Sequence, residues 1–153
     1  MSAKIESIFL IQRPGGAPVR HASVRAVAGA GLTGDHHLAH PVLFGSPAPE
    51  KQLTLIEAEA LEFLERRHGI RLGPGASRRN LVTRGVRLNA LVGRTFQVGG
   101  VRARGVERCD PCAHLEALTQ PGVLRGLVNR GGLRAEILTD GLIREGDSIE
   151  AEP

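Results

Sequence analysis

The chain has 153 residues, 41% of them apolar, and a net charge of +4 from 20 basic and 16 acidic residues. A chain of this length can bury a core without disulfides, so we expect one domain over residues 1–153. Only 3% of the residues are aromatic, with no Trp or Tyr, which argues against a surface that stacks nucleic-acid bases.

The first half of the chain predicts two strands and one helix. Alternating apolar residues indicate strands over Ile5–Ile11 and Ser23–Ala28. Thr54 and Glu57 have the spacing of a capping box, and apolar residues then recur at helical intervals as far as a C-terminal glycine. We therefore expect an amphipathic helix over Leu55–His68.

The second half predicts more strands than helix. A two-glycine turn joins Arg94–Val98 to Val101–Arg104 as a hairpin. Residues Gly122–Asn129 have room for a helical turn or two, and Leu133–Thr139 with Leu142–Ile143 predict a second hairpin. Many short strands and one main helix favour a mostly β (α+β) barrel with short helical insertions.

The apolar segments are too short for a signal peptide or a membrane span. We therefore expect a soluble, cytoplasmic protein with neither a membrane nor a nucleic-acid partner. Eighteen of the 20 basic residues are arginines, whose planar fork suits phosphate and carboxylate. The excess of positive charge is compatible with binding of an anionic small ligand and equally with a basic surface that faces solvent.

The two cysteines are the most informative residues. In Cys109-Asp110-Pro111-Cys112, Asp110 is predicted as the N-cap and Pro111 as the first position of a short helix over Cys112–Leu118. A helix N-terminus favours thiolate over thiol, and the thiolate is the nucleophile and metal ligand. Cys112 is therefore the leading functional candidate, whereas Cys109 is equally well explained as a small buried apolar residue.

Other uses of these residues stay open. The pair has the spacing of a thioredoxin-like redox motif, although it follows a hairpin and not an early strand. A zinc site is a second alternative, since thiols and imidazoles are zinc ligands, but no second CxxC exists. Its further ligands would come from four histidines: His36, His37, His40 and His114.

Gly29–Gly34 fits the dinucleotide pattern GxGxxG but lacks its context. A proline follows at Pro41, too early for the long helix that such a site needs. We interpret the segment as a loop whose glycines allow positive φ and which presents Asp35 and His37. The proline-rich Pro41–Pro49 segment is expected to be a mobile loop.

Read in order, several segments resemble the MOSC domain, the family named after the C-terminal domain of molybdenum cofactor sulfurase. The resemblance covers nearly the whole chain and matches the compact, stand-alone bacterial type. It is carried by Gly31–His37, Leu53–Leu61, Arg79–Leu81, Leu91–Gly93, Cys109–Cys112, Arg130–Gly132 and Gly141–Asp147.

The resemblance implies a β-rich, barrel-like fold and one cysteine that carries sulfur or ligates the molybdenum of a pterin cofactor. Cys112 takes that position and is the implied metal ligand. Gly34, Arg79, Asn80 and Arg108 are the implied cofactor-binding residues, through loop amides and arginine donors. Many stand-alone members carry Glu where this chain has Arg79.

The implied activity is a molybdenum cofactor (molybdopterin)-dependent reduction of an N-hydroxylated small molecule. Asp35 and His37 would then act as a proton donor or an orienting pair, and a redox partner protein would supply electrons. One alternative is a sulfur carrier or transferase in which Cys112 holds a persulfide and Cys109 releases it. The other is a non-catalytic module that only binds the cofactor.

Overall fold

The protein is described by a computed structural model, which covers residues 3–38 and 48–153. His40 and most of the Pro41–Pro49 segment therefore lie outside the described residues. The strands are β1 (Lys4–Ile11), β2 (Pro18–His21), β3 (Ser23–Val27), β4 (Gly31–Leu32), β5 (Leu53–Glu57), β6 (Leu81–Arg84), β7 (Thr95–Val98), β8 (Val101–Arg108), β9 (Leu133–Ile137), β10 (Gly141–Arg144) and β11 (Ile149–Ala151). The α-helices are α1 (Ala58–His68), α2 (Ala113–Leu118) and α3 (Val123–Gly126).

The strands form two sheets. Eight of them make one sheet in the order β11-β7-β8-β9-β5-β6-β1-β2, and the other three make a second sheet in the order β10-β3-β4. Strands β5 and β6 pair in parallel, and the other pairs within both sheets are antiparallel. The large sheet curls into a half barrel, which confirms the expected mostly β, barrel-like fold.

The central strands are buried on both faces. In β1, Ile8 and Leu10 belong to the core between the two sheets, whereas Phe9 belongs to a second core on the outer face. Leu81 and Val82 of β6 divide in the same way. Alternate side chains of a strand point to opposite faces, so each central strand contributes to both cores. The outer core is covered by the three helices.

The main helix begins three residues later than the capping-box pattern predicts. Leu55, Ile56 and Glu57 extend β5, and α1 starts at Ala58 with Glu57 as the N-cap. The Glu57 side chain does not cap the helix; its carboxylate accepts a hydrogen bond from the Leu88 amide at 3.2 Å instead. Leu55 and Ile56 are fully buried in the sheet, and that burial outweighs local helix propensity. The predicted end is correct: Gly69 is the C-cap, in the left-handed conformation with φ 66°.

The first predicted hairpin is confirmed and the second is wrong. Strands β7 and β8 pair around the two-glycine turn. Strand β10, however, does not pair with β9 across the turn at Asp140: it pairs with β3, with Ile143 opposite Val24. Both of these side chains are buried in the core between the sheets, so long-range packing overrides the local turn signal.

The glycine-rich segment Gly29–Gly34 is a turn and the short strand β4, as the loop interpretation expects. Gly31 and Gly34 have positive φ, 139° and 94°. No helix within the described ranges has the length and apolar character to cross a membrane.

Candidate functional site

One cavity gathers the chemically active residues at one end of the central strands. Its volume is about 330 Å³. Five neighbouring strands, β8, β9, β5, β6 and β1, end at or close to it. It is lined by Ile11, Pro14, Gly15, Asp35, His36, His37, Thr54, Arg78, Arg79, Asn80, Cys109, Cys112, His114, Leu115 and Arg134.

Cys112 reaches this cavity from the start of α2. It is exposed, while Cys109 is only 1% exposed, and both are free thiols. The N-cap of α2 is Cys112 itself, not Asp110 as the sequence predicts, and its Sγ accepts a hydrogen bond from the Leu115 amide at 3.5 Å. The helix N-terminus therefore faces the sulfur, which solvent can reach.

Cys109 has a different environment. Burial raises the pKa of its thiol, and Arg79 and Arg134 partly offset that effect. The Cys109 amide donates to the Gly132 carbonyl at 2.8 Å, which fixes the backbone where the CxxC turn leaves β8. The two thiols line one cavity but differ in access, so Cys112 is the one positioned to react first.

Asp35 organises the loop opposite the cysteines. It is 7% exposed, and its carboxylate accepts hydrogen bonds from the amides of Ile11 at 3.0 Å and His37 at 3.2 Å. The Asn80 side-chain amide donates to the same carboxylate at 3.4 Å. With its oxygens engaged by three N–H groups, Asp35 holds the loop in place, which fits the orienting role better than that of a proton donor.

His37 is the more available member of that pair. Its side chain is 44% exposed, and its Nδ1 lies 3.6 Å from a carboxylate oxygen of Asp35. Partial burial is the main cause of a lowered pKa at His37, and the neighbouring His36 adds to it, so the ring is held towards its neutral form. A neutral imidazole beside the cavity can accept or relay a proton near neutral pH.

Asn80 joins the loop to the sheet. Its Oδ1 accepts a hydrogen bond from the Thr54 amide at 3.1 Å, and the Asn80 amide donates to the Thr54 hydroxyl at 3.0 Å. Its Nδ2 donates to the Phe9 carbonyl at 3.2 Å as well as to Asp35. These bonds connect β1, β5, β6 and the loop of Asp35, so Asn80 fixes the shape of this side of the cavity.

Arg79 lies under the CxxC turn. It is 9% exposed, and its Nε donates to the Gly131 carbonyl at 2.9 Å. Its terminal nitrogens reach the carbonyls of Ser77 at 3.3 Å, Cys109 at 3.4 Å and Asp110 at 3.5 Å. A carboxylate at this position would face carbonyl oxygens, whereas the guanidinium of Arg79 donates hydrogen bonds to them.

Two arginines of the cavity wall were missed by sequence reasoning. Arg78 has positive φ, 61°, and donates to the Gly16 carbonyl at 2.9 Å. Arg134 alternates with buried apolar residues in β9, a pattern that predicts an ordinary solvent-facing side chain. Only its register opposite Thr54 of β5 places it at the cavity, and pairing between distant strands cannot be inferred from composition.

The other predicted cofactor-binding residues lie outside the lining. Gly34 precedes Asp35 in the turn, where its positive φ is its visible contribution. Arg108 ends β8 exposed, and its guanidinium donates to the Asn129 side chain at 3.1 Å. Their roles in cofactor binding stay predictions that the geometry of the cavity does not support directly.

The zinc alternative finds only partial support. Asp35, His36 and His37 place potential ligand atoms within 4.8 Å of one another. However, His36 Nδ1 lies 2.9 Å from the Ile11 carbonyl, and the Asp35 oxygens accept the hydrogen bonds described above. The ligand atoms are thus largely engaged within the protein. The cysteines do not join this group, and His40 lies outside the described residues.

Comparison with known proteins identifies the class. Residues 33–150 match the MOSC domain model, and the chain belongs to that family. A search of curated proteins found no significant match.

Among solved structures, the fold is similar to that of the YuaD protein from Bacillus subtilis, with a TM-score of 0.81 and 19% identity over 99% of this chain and 96% of that one. YiiM from Geobacillus stearothermophilus gives a TM-score of 0.74 and 17% identity over 99% and 75% of the two chains. YiiM from Escherichia coli gives 0.67 and 16% over 98% and 70%. At these identities the likeness establishes the fold.

Proposed function

We propose that this protein binds a molybdenum cofactor with Cys112 as the thiolate ligand of the metal and reduces an N-hydroxylated small molecule. The observation that carries the proposal is the position of Cys112, whose exposed thiol opens onto a cavity with three arginines in its wall. Thiolate is a soft ligand, and arginine binds phosphate and other oxyanions.

The residues that line the cavity fit an anionic pterin cofactor. Arg78, Arg79 and Arg134 come from two separate segments and bring positive charge to one space, in which Asp35 is the single carboxylate among the described lining residues. Each of the three arginines also hydrogen-bonds to backbone carbonyls, which holds the guanidinium groups in place. An anionic pterin with a phosphate would find fixed cationic donors there.

Three residues of the chain, Cys112, Asp35 and His37, would each have a separate role in the reaction. When bound, the cofactor would supply two-electron redox chemistry at the metal. Cys112 would anchor the metal side of the cofactor, and Asp35 would hold the opposite loop through the Ile11 and His37 amides. His37, held towards its neutral form, would exchange a proton with the substrate. Electrons would come from a redox partner protein.

The first test is molybdenum and pterin analysis of protein expressed in a host that makes the cofactor. We expect bound molybdenum in the wild type and its loss in Cys112→Ser, with Cys109→Ser as the matched control that retains it. Protein that folds normally but holds neither metal nor pterin would refute the proposal. Turnover of an N-hydroxylated compound with an electron donor then separates an enzyme from a module that only binds.

A second candidate is sulfur transfer without metal. It is favoured by one observation: Cys109 lines the same cavity as Cys112 but is buried, as a resolving thiol behind an exposed carrier would be. Incubation with a sulfur donor followed by mass spectrometry tests it. A gain of one sulfur on the Cys112 peptide supports transfer, whereas bound molybdenum without that gain supports the cofactor function.

A further inference from the structure

We propose that a basic surface beside the CxxC segment docks a small acidic electron-transfer protein. The surface is formed by Arg87, Arg108 and Arg130, which together are the basic patch. The purpose of the docking, the supply of electrons, rests on the proposed function, whereas the docking itself does not.

Asn129 joins the segments that carry the basic patch. Its φ is 64°, in the left-handed region that asparagine tolerates better than most residues. Its side-chain oxygen accepts a hydrogen bond from the Arg108 guanidinium at 3.1 Å, and its backbone carbonyl accepts one from the Asn89 side chain at 3.0 Å. Arg130 follows Asn129 directly, and Arg87 lies two residues before Asn89. One hydrogen-bonded unit therefore presents all three arginines.

Arg87 and Arg130 also lie close to each other. The Arg130 guanidinium stacks on the ring of Phe63 in α1, with its Cζ 3.7 Å from the ring centre. Burial raises the pKa of Glu57, and the charges of Arg87 and Arg130 both oppose that effect, so both lie near this one carboxyl. The Glu57 carboxylate accepts a hydrogen bond from the Leu88 amide at 3.2 Å and forms an ion pair with neither arginine.

The charges of the basic patch are not neutralised within the protein. Its three arginines are exposed, and none takes part in an ion pair with the residues that the structure describes. Glu107 pairs with Arg134 at 3.7 Å, which leaves Asp110 as the exposed acidic neighbour of Arg108. The same segments expose Val92 and Val128, which are 40% and 50% accessible. Arginines beside exposed apolar side chains favour a protein partner, and their charge favours an acidic one.

The basic patch borders Cys112. Arg108 is the last residue of β8, immediately before the CxxC segment. Arg130 precedes Gly131, whose Cβ position lies 2.8 Å from Cδ of Pro111, the residue next to Cys112. The Cys112 thiol is exposed. A protein docked on the patch is therefore held beside the proposed metal ligand.

The proposed reaction requires repeated docking. Reduction of an N-hydroxyl group to an amine consumes two electrons and two protons and releases one water. A flavodoxin hydroquinone that is oxidised to the semiquinone supplies one electron, so the donor must bind and leave twice in each turnover. Electron-transfer complexes accordingly have small interfaces, and complementary charge makes their association fast.

Titration calorimetry of the metal-free protein with flavodoxin, an acidic flavin protein, tests the inference. We expect weak binding at an ionic strength of about 0.01 M and none at about 1 M, because the Debye length falls from about 30 Å to about 3 Å. The double variant Arg87→Gln, Arg130→Gln should bind about tenfold more weakly at the lower ionic strength, since it removes two exposed charge pairs.

The double variant Arg25→Gln, Arg144→Gln is the matched control, because it removes the same charge elsewhere. Both residues are exposed and belong to the smaller sheet, in β3 and β10. The first residue of β10 packs on Gly100 in the β7–β8 turn, at the opposite end of β8 from Arg108. This control should bind flavodoxin as tightly as the wild type does.

Nuclear magnetic resonance of the wild type covers the case in which the patch variant does not fold. The amide resonances of Arg108 and Asn129 should shift as flavodoxin is added, and those of Arg25 and Arg144 should not. Absence of salt-dependent binding, a patch variant that binds as tightly as the wild type, an equal loss in the control, or unmoved patch resonances would each overturn the inference.

Molybdenum content and turnover with reduced methyl viologen keep this result separate from the proposed function, because viologen is a small donor that needs no docking surface. Viologen-driven turnover without flavodoxin binding would overturn the docking surface and leave the proposed function standing. Patch-dependent flavodoxin binding by a protein that holds no molybdenum would keep the docking surface and refute the proposed function.

Discussion

The sharpest structural prediction concerns Gly131, which packs directly under the CxxC turn. A Cβ at this position would lie 2.2 Å from the Cys109 carbonyl oxygen, 2.8 Å from Pro111 Cδ and 2.9 Å from Pro111 N. Two of these atoms are backbone, so no side-chain rotation can relieve the overlap. The φ of Gly131 is not positive, so alanine could adopt this backbone conformation. The close contact is therefore the sole source of the free-energy cost of the substitution.

Gly131→Ala should destabilise the protein by about 2 kcal/mol, the middle of the usual range for overpacking. For a domain of this size that corresponds to a fall in the unfolding midpoint of roughly 4–8 °C. Because the contact is with the segment that carries Cys112, the variant should also lose molybdenum in the host described above. Denaturant unfolding followed by circular dichroism measures the first effect and metal analysis the second.

Gly73→Ala is the matched control. No heavy atom lies within 4 Å of its Cβ position, and its φ of −58° suits alanine. We expect no loss of stability, and a gain of up to about 1 kcal/mol from reduced freedom of the unfolded chain. A Gly131→Ala variant as stable as Gly73→Ala would refute the geometry assigned to the turn.

Three further predictions test other parts of the cavity. Iodoacetamide should label exposed Cys112 well before Cys109, whose pKa is raised by burial, and peptide mass spectrometry reports the order. Asp35→Asn should lower the free energy of unfolding by about 1.5 kcal/mol, because the Ile11 amide loses a charged acceptor; equal stability would show that this bond contributes nothing. The lowered pKa of His37 means that its unfolded form binds protons more tightly, so the stability it contributes is present above about pH 6.5 and is lost as the pH falls below that value. His37→Gln should flatten this part of a stability profile measured by urea unfolding, and an unchanged slope would contradict the assignment.

Local signals in the sequence predicted the elements that depend on local chemistry. The hairpin of β7 and β8 follows from its two-glycine turn, and the end of α1 from Gly69. The predicted start of α1 was wrong because Thr54, which has the spacing of a helix cap, lies in strand β5 of the sheet. There it bonds to Asn80, a residue 26 positions away.

The candidate site was predicted unevenly for the same reason. Cys112, Asp35 and His37 belong to short motifs, and the structure places them around one cavity. The contribution of Arg134 depends on strand register, and that of Arg79 on a turn 30 residues further along the chain. Neither of these long-range contacts can be predicted from the residues next to Arg134 or Arg79 in the sequence.

The cavity is assembled from the ends of five strands that come from distant parts of the chain. Partial folding cannot produce it, because the sheet must close before the walls meet. A ligand held there binds only the finished structure and adds its binding free energy to global stability by mass action. Ligand binding would thus be a late step, after folding is complete, and the ligand-bound protein would unfold less readily than the free protein.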